Sequence, residues 1–176
     1  MMSVEELDEI IVRHRRSGVL IDTNLLILRW IGQWNPLEIP KHRRTQSYTT
    51  DEFERLERFV VQFQRVVTTP CILAEANSLA TQFQEARYER GKQAQLVHNL
   101  RQQIASQMSR LFERYVPSIE VVQVPEFVRF GLTDTGIQRL AEEGFLVLTD
   151  DLPLYASLCE KALPVVNFNH IRFWKK

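Results

Sequence analysis

Glycine is scarce in this sequence, at 6 of 176 residues, and no two glycines stand as Gly-x-Gly. That excludes a dinucleotide fingerprint, a Walker phosphate loop and a kinase glycine loop, each of which needs glycines where backbone approaches phosphate. Cysteine is rarer still. Cys71 and Cys159 are too few for a disulfide scaffold and lack zinc-ligand spacing, so they are read as reduced thiols packed like small hydrophobes. No run approaches the ~18 apolar residues of a membrane span. The opening residues Met1-Met2-Ser3-Val4-Glu5-Glu6-Leu7-Asp8 are acidic where a signal peptide is basic and then apolar. These absences predict a soluble protein of a reducing cytoplasm with no membrane partner. An excess of one charge is also missing: 22 Lys and Arg face 22 Asp and Glu, leaving zero. A protein coated in basic residues, such as a histone-like binder, is excluded, whereas a local basic patch is not. The four histidines share no spacing with one another or with a Ser or Cys nucleophile, which leaves a hydrolase triad without support.

What is present is ordinary for a globular chain: 44% hydrophobic and 25% charged residues, enough for one domain over residues 1–176 with a sizeable core. Residues 3–16 predict an amphipathic helix, capped by Ser3 with Glu6 three places on and closed by Gly18. Short apolar runs then alternate with helical periods. Strands are expected at Val19–Ile21, Val66–Thr69, Ile119–Val124, Phe145–Thr149 and Val165–Phe168. Helices are expected after Asp22, over Asp51–Arg65, from Pro70, over Thr133–Glu143 and over Asp151–Ala162. Residues 34–50, with Pro36 and Pro40, read as a loop. Leu96, Leu100, Ile104, Met108, Leu111 and Tyr115 keep helical spacing, which predicts an extended helical hairpin over about 78–116. Short apolar strands alternating with helices predict an α/β fold whose parallel sheet is covered on both faces.

Ligands of an open parallel sheet bind beyond the carboxyl ends of its strands, and the acidic residues fall there. Asp22 ends the first strand, and Asp150 and Asp151 end the fourth. Asp134 opens the helix after the third. Glu75 lies in the second turn of the helix after the second, amid apolar and small neighbours where an acid is either buried with a partner or serves a site. Asp22, Asp134 and Asp150 also suit helix N-termini as plain caps or first-turn acids. Thr133 and Thr135 compete for the cap at Asp134, with Thr135 and Gln138 spaced as a capping box. Four such coincidences are less economical than one acidic pocket. Clustered carboxylates raise each other's pKa or demand a cation. Oxygen donors without Cys or His select Mg²⁺ or Mn²⁺, and such sites suit hydrolysis of phosphodiesters.

Four segments carry a resemblance. They are Val19-Leu20-Ile21-Asp22-Thr23-Asn24-Leu25-Leu26, Thr69-Pro70-Cys71-Ile72-Leu73-Ala74-Glu75-Ala76-Asn77, Gly131-Leu132-Thr133-Asp134-Thr135-Gly136-Ile137 and Val147-Leu148-Thr149-Asp150-Asp151-Leu152-Pro153-Leu154-Tyr155. In this order the chain, from about Val19 to Phe168, resembles the PIN-domain ribonucleases, the family that includes the toxin halves of many bacterial toxin–antitoxin pairs. The resemblance implies a five-stranded parallel sheet in a three-layer α/β/α sandwich. It implies Mg²⁺ or Mn²⁺ held by Asp22, Glu75, Asp134 and the Asp150-Asp151 end, with Asn24 and Thr149 supporting them from behind. The family pattern read onto Thr149-Asp150-Asp151 makes Asp151 the metal-site residue and Asp150 its neighbour. It further implies RNA as substrate, and leaves an antitoxin-like partner and a homodimer open. The helix before Val19, the loop over 34–50 and the hairpin depart from the compact toxin pattern. Two other readings stand beside an active ribonuclease: a catalytically silent module that binds RNA or a partner protein, and a DNA or structure-specific nuclease.

Two basic runs, Arg13-His14-Arg15-Arg16 and Lys41-His42-Arg43-Arg44, could contact RNA phosphates, although charged runs are usually solvated faces. The second is favoured because it follows the helix that Asp22 precedes, which nominates Lys41, Arg43 and Arg44. Trp30, Trp34 and Trp174 are read as core or interface packing rather than base-stacking platforms.

Overall fold

The computed structural model describes residues 3–84, 88–89 and 91–172. Helix α1 (Val4–His14) starts at the anticipated box: Ser3 Oγ accepts from the Glu6 N–H while the Glu6 carboxylate accepts from the Ser3 N–H. The chain then forms β1 (Val19–Ile21), α2 (Thr23–Trp34), a 3₁₀ turn at Pro36–Glu38, α3 (Thr50–Val60), β2 (Val66–Thr68) and α4 (Pro70–Ala80). It continues with α5 (Lys92–Gln107), a 3₁₀ turn at Met108–Arg110, β3 (Leu111–Glu113), α6 (Ser118–Val121) and α7 (Glu126–Glu142). The last elements are β4 (Leu146–Thr149), α8 (Leu152–Glu160), β5 (Val165–Asn167) and α9 (Phe168–Ile171).

The five strands form one parallel sheet in the order β3-β2-β1-β4-β5. Residues of β1 and β4 are buried throughout, as the middle layer of a parallel sheet requires. The chain moves outward from β1 to β2 and β3, then returns to β4 on the other side of β1. Right-handed crossovers therefore put α2–α5 on one face and α6–α8 on the other, giving the α/β/α sandwich. One hydrophobic cluster, with Leu20, Leu26, Trp30, Phe59, Ile137 and Phe168 all at 1% exposure or less, unites the layers.

Several expectations are corrected. The third strand is Leu111–Glu113, and most of Ile119–Val124 is not a strand: Ser118–Val121 is helical. The open edge of β2 accepts one partner only. Val66, Val67 and Thr68 pair with Leu111, Phe112 and Glu113, so that side of β2 is taken, and Ile119 and Val122 remain exposed. The hairpin over 78–116 is likewise reduced to α5. Helical spacing is real from Leu96 to Ile104, but at Leu111 it coincides with a strand; residues 85–87 and 90 of that segment lie outside the described residues. Helix α3 stops at Val60, five residues short of Arg65, and Phe63 reaches the core from a turn instead. Helix α7 starts at Glu126 rather than Thr133, but it breaks at Gly131, whose φ of 74° and ψ of −170° only glycine adopts readily. The Thr135–Gln138 box does not form: the Thr135 hydroxyl is buried without a hydrogen-bond partner among the described residues, and Gln138 turns to Ser157 and Lys161. Helix α8 ends at Glu160, short of Ala162. Cys71 is half-buried, but Cys159 is exposed rather than packed, because it falls on the outer face of α8. No helix among the described residues is long and apolar enough to cross a membrane.

Candidate active site

Strand order reverses between β1 and β4, and a crevice outside the carboxyl ends at such a switch point is where α/β sheets bind ligands. Asp22 leaves β1 there and Thr149-Asp150-Asp151 leave β4. The register pairs Ile21 with Leu148, so the next residues, Asp22 and Thr149, stand side by side. The Thr149 hydroxyl donates to Asp22 Oδ2 at 2.6 Å and accepts the Asp151 N–H at 3.0 Å. Asp22 also caps α2, its Oδ1 accepting the Thr23 N–H at 2.5 Å.

Asp22 is 4% exposed. Burial, followed by the charges of Asp134 and Asp150, outweighs its hydrogen bonds from Thr149 and Thr23, and its carboxyl is pushed up to about 7. Asp134 follows the break in α7 and makes no side-chain hydrogen bond among the described residues. Burial raises it to about 6, with the charges of Asp151 and Glu75 adding to the effect. The two adjacent aspartates therefore divide their work. Asp150 presses on Asp22, whereas Asp151 presses on Asp134 and caps α8 through the Leu154 N–H at 2.7 Å. Glu75 is exposed rather than buried, and its Oε2 accepts the Thr23 hydroxyl at 3.1 Å. Acidic groups from α2, α4, α7 and the β4–α8 turn thus act on one another across a single edge.

Asn24, anticipated as a support, is half-buried and makes no side-chain hydrogen bond among the described residues; its neighbour Thr23 provides the link instead. Three further participants carried no signal in the sequence. The Tyr48 hydroxyl, from the segment before α3, donates to Asp150 Oδ2, and burial and that carboxylate push its own proton loss far upward. The Arg172 guanidinium sits 5.4 Å from the Tyr48 ring centre. Asn167 ends β5 opposite Thr149; it is 2% exposed and its side-chain N–H₂ has no hydrogen-bond partner among the described residues. Asp150 Oδ1 is also buried without one among the described residues.

Among the described residues no three His, Cys, Asp or Glu side chains are arranged to hold a metal ion between them. The donor set nevertheless fits Mg²⁺ or Mn²⁺ in their hydrated form. Such ions keep several waters and take only one or two carboxylates, and both the partnerless Asp150 Oδ1 and the raised Asp22 and Asp134 carboxyls gain from positive charge nearby.

The basic runs lie differently. Arg13–Arg16 run from the last turn of α1 toward the amino-terminal edge of the sheet, away from the acids, and His14 is buried. In the other run His42 is fully buried, its Nε2 3.0 Å from the Ala80 carbonyl oxygen. Lys41 pairs with Glu38 at 2.9 Å, and Arg43 and Arg44 are exposed. Trp30 is core, Trp34 packs edge-on against Phe83, and Trp174 lies outside the described residues. Comparison with family models, with curated proteins and with solved structures returned no match.

Proposed function

We propose that this protein is a Mg²⁺- or Mn²⁺-dependent endoribonuclease that hydrolyses RNA phosphodiesters at the carboxyl edge of its sheet, as the resemblance to PIN-domain ribonucleases implies. The observation that carries the reading is the gathering of Asp22, Asp134, Asp150, Asp151 and Glu75 at one edge, where burial first and mutual repulsion second raise the Asp22 and Asp134 carboxyls to about 7 and 6. A fold does not keep such repulsion without a use, and a cation is the simplest relief. Bound there, the ion would supply a polarised water and charge stabilisation for a phosphate under in-line attack. Asp22 and Asp150 would hold it from the β1–β4 side, and Glu75, Asp134 and Asp151 would act on it through its waters. Thr149 keeps Asp22 facing the crevice, Tyr48 holds Asp150, and Thr23 holds Glu75. Arg43 and Arg44, exposed beside a buried anchor at His42, are suited to the flanking phosphates of a strand. A role as one half of a toxin–antitoxin pair, with a protein inhibitor or a second copy as partner, belongs to the same proposal.

Single-stranded RNA and DNA of matched sequence, incubated with purified protein and Mn²⁺, separate the readings. The expected outcome is RNA cleavage that EDTA abolishes and that falls at least 100-fold in Asp22→Asn, Glu75→Gln and Asp134→Asn while each variant stays folded. Preferential cutting of DNA would move the site to the structure-specific nucleases. Tight RNA binding without cleavage would make this a silent binding module.

A further inference from the structure

Beside the acidic edge lies a cavity of about 120 Å³. It is walled by Pro70 and Cys71 at the start of α4, by Tyr115 and Val116 after β3, and by Leu132 and Gly136 of α7. Two of these three walls are continuous with an acid of the site. Glu75 is on the helix that Pro70 opens, and Asp134 lies between Leu132 and Gly136. Complete small-molecule ligands generally need about 300–1,000 Å³, so this space suits one flat ring system rather than a whole nucleotide. The lining is mostly apolar, with Thr69 and Ser118 bringing polar atoms, and the phenol of Tyr115 stands 74% exposed.

Gly136 is the decisive residue. Glycine inside a helix is disfavoured relative to almost any other residue, and proteins usually accept it where a side chain would collide. Gly32 of α2 is such a case: a Cβ there would lie 2.4 Å from the Phe53 ring. At Gly136 the backbone is ordinary helix and an added Cβ would meet nothing within 4 Å, although the residue is buried. What glycine achieves at this position is to leave the cavity open.

We propose that this cavity is a nucleobase subsite, taking one base of the RNA strand next to the scissile phosphate, with Tyr115 as the stacking platform at its mouth. The proposal rests on the ribonuclease reading and names the part of the substrate that the site would recognise. Aromatic stacking tolerates any base, and the polar atoms at Thr69 and Ser118 provide the means of preferring one.

The test uses single-stranded RNA pentamers carrying 2-aminopurine at each position in turn, titrated with the full chain in EDTA so that nothing is cut. Wild type is expected to quench the fluorescence at one position of the strand. Tyr115→Ala should lose that quench and bind at least tenfold more weakly. Gly136→Leu, which fills the cavity with a better helix former, should do the same while melting at or above the wild-type temperature. With Mn²⁺ present, both variants should raise KM for cleavage and leave kcat largely intact, and the stabilisation by Mn²⁺ alone should match wild type. Cleavage and quenching unchanged in both variants would overturn the subsite and leave the ribonuclease reading standing. Quenching by wild type without any cleavage would overturn that reading and keep the subsite. Neither quenching nor cleavage would remove both.

Discussion

Asp22 holds its proton more tightly in the folded chain than the ordinary aspartate value near 3.9, because burial and the charges of Asp134 and Asp150 oppose ionisation. The folded state therefore binds more protons than the unfolded one between about pH 4 and pH 7, and this contribution to stability is lost as pH rises through that window. His14, His42 and His170 are held below their ordinary value by burial and act in the opposite sense, so the informative quantity is the difference between wild type and Asp22→Asn. In metal-free urea titrations, Asp22→Asn should gain little or nothing at pH 5 and on the order of 1–3 kcal/mol at pH 8. A gain independent of pH would mean that the Asp22 carboxyl is not raised in the folded chain. Thr149→Val tests the other side of the same contact. Removing the hydroxyl leaves a buried carboxylate oxygen without its donor and should cost about 1–3 kcal/mol, read as a lower urea midpoint. Of these residues, Asp22 was legible because it ends a buried apolar run, and Thr149 only through the family resemblance. Tyr48 was not: its partner is 102 positions away, and nothing local to a loop tyrosine reveals such a contact.

The break at Gly131 sets where the Asp134-bearing part of α7 begins. Gly131→Ala meets no steric obstacle, yet its φ of 74° is strained for any side chain. The expected cost is about 1–3 kcal/mol in chemical denaturation, accompanied by weaker Mn²⁺ binding as Asp134 shifts; binding unchanged in calorimetry would separate the break from the site. In the segment before α3, Arg43→Gln with Arg44→Gln should lower the salt slope of RNA binding by about 1.4, because each phosphate contact on a single strand contributes roughly 0.7. An unchanged slope would return the run to a solvated surface. Elements whose apolar runs are continuous and bounded, such as β1 and β4, could be read with nearly correct limits. Strand β3 could not, because a strand is defined by the edge it joins. Leu111-Phe112-Glu113 and Ile119–Val124 both carry strand-forming residues, and the competition between them for the open side of β2 is a property of the folded sheet rather than of either segment.

At the level of the molecule, a cation bound to the folded edge and not to the unfolded chain must raise the melting temperature. Saturation at 100 times the dissociation constant corresponds to about 2.7 kcal/mol. A thermal scan with millimolar Mn²⁺ should show this shift in wild type and lose most of it in Asp22→Asn; equal shifts in both proteins would place the bound ion elsewhere. The hydrogen bond from Thr149 to Asp22 has a different consequence, one of timing. Its partners are 127 positions apart, and β4 can dock beside β1 only after the greater part of the chain has been made. During vectorial synthesis a ribosome therefore carries β1, β2 and Glu75 for a long interval with no assembled crevice, and the ribonuclease proposed above would stay silent until β4 has emerged and docked.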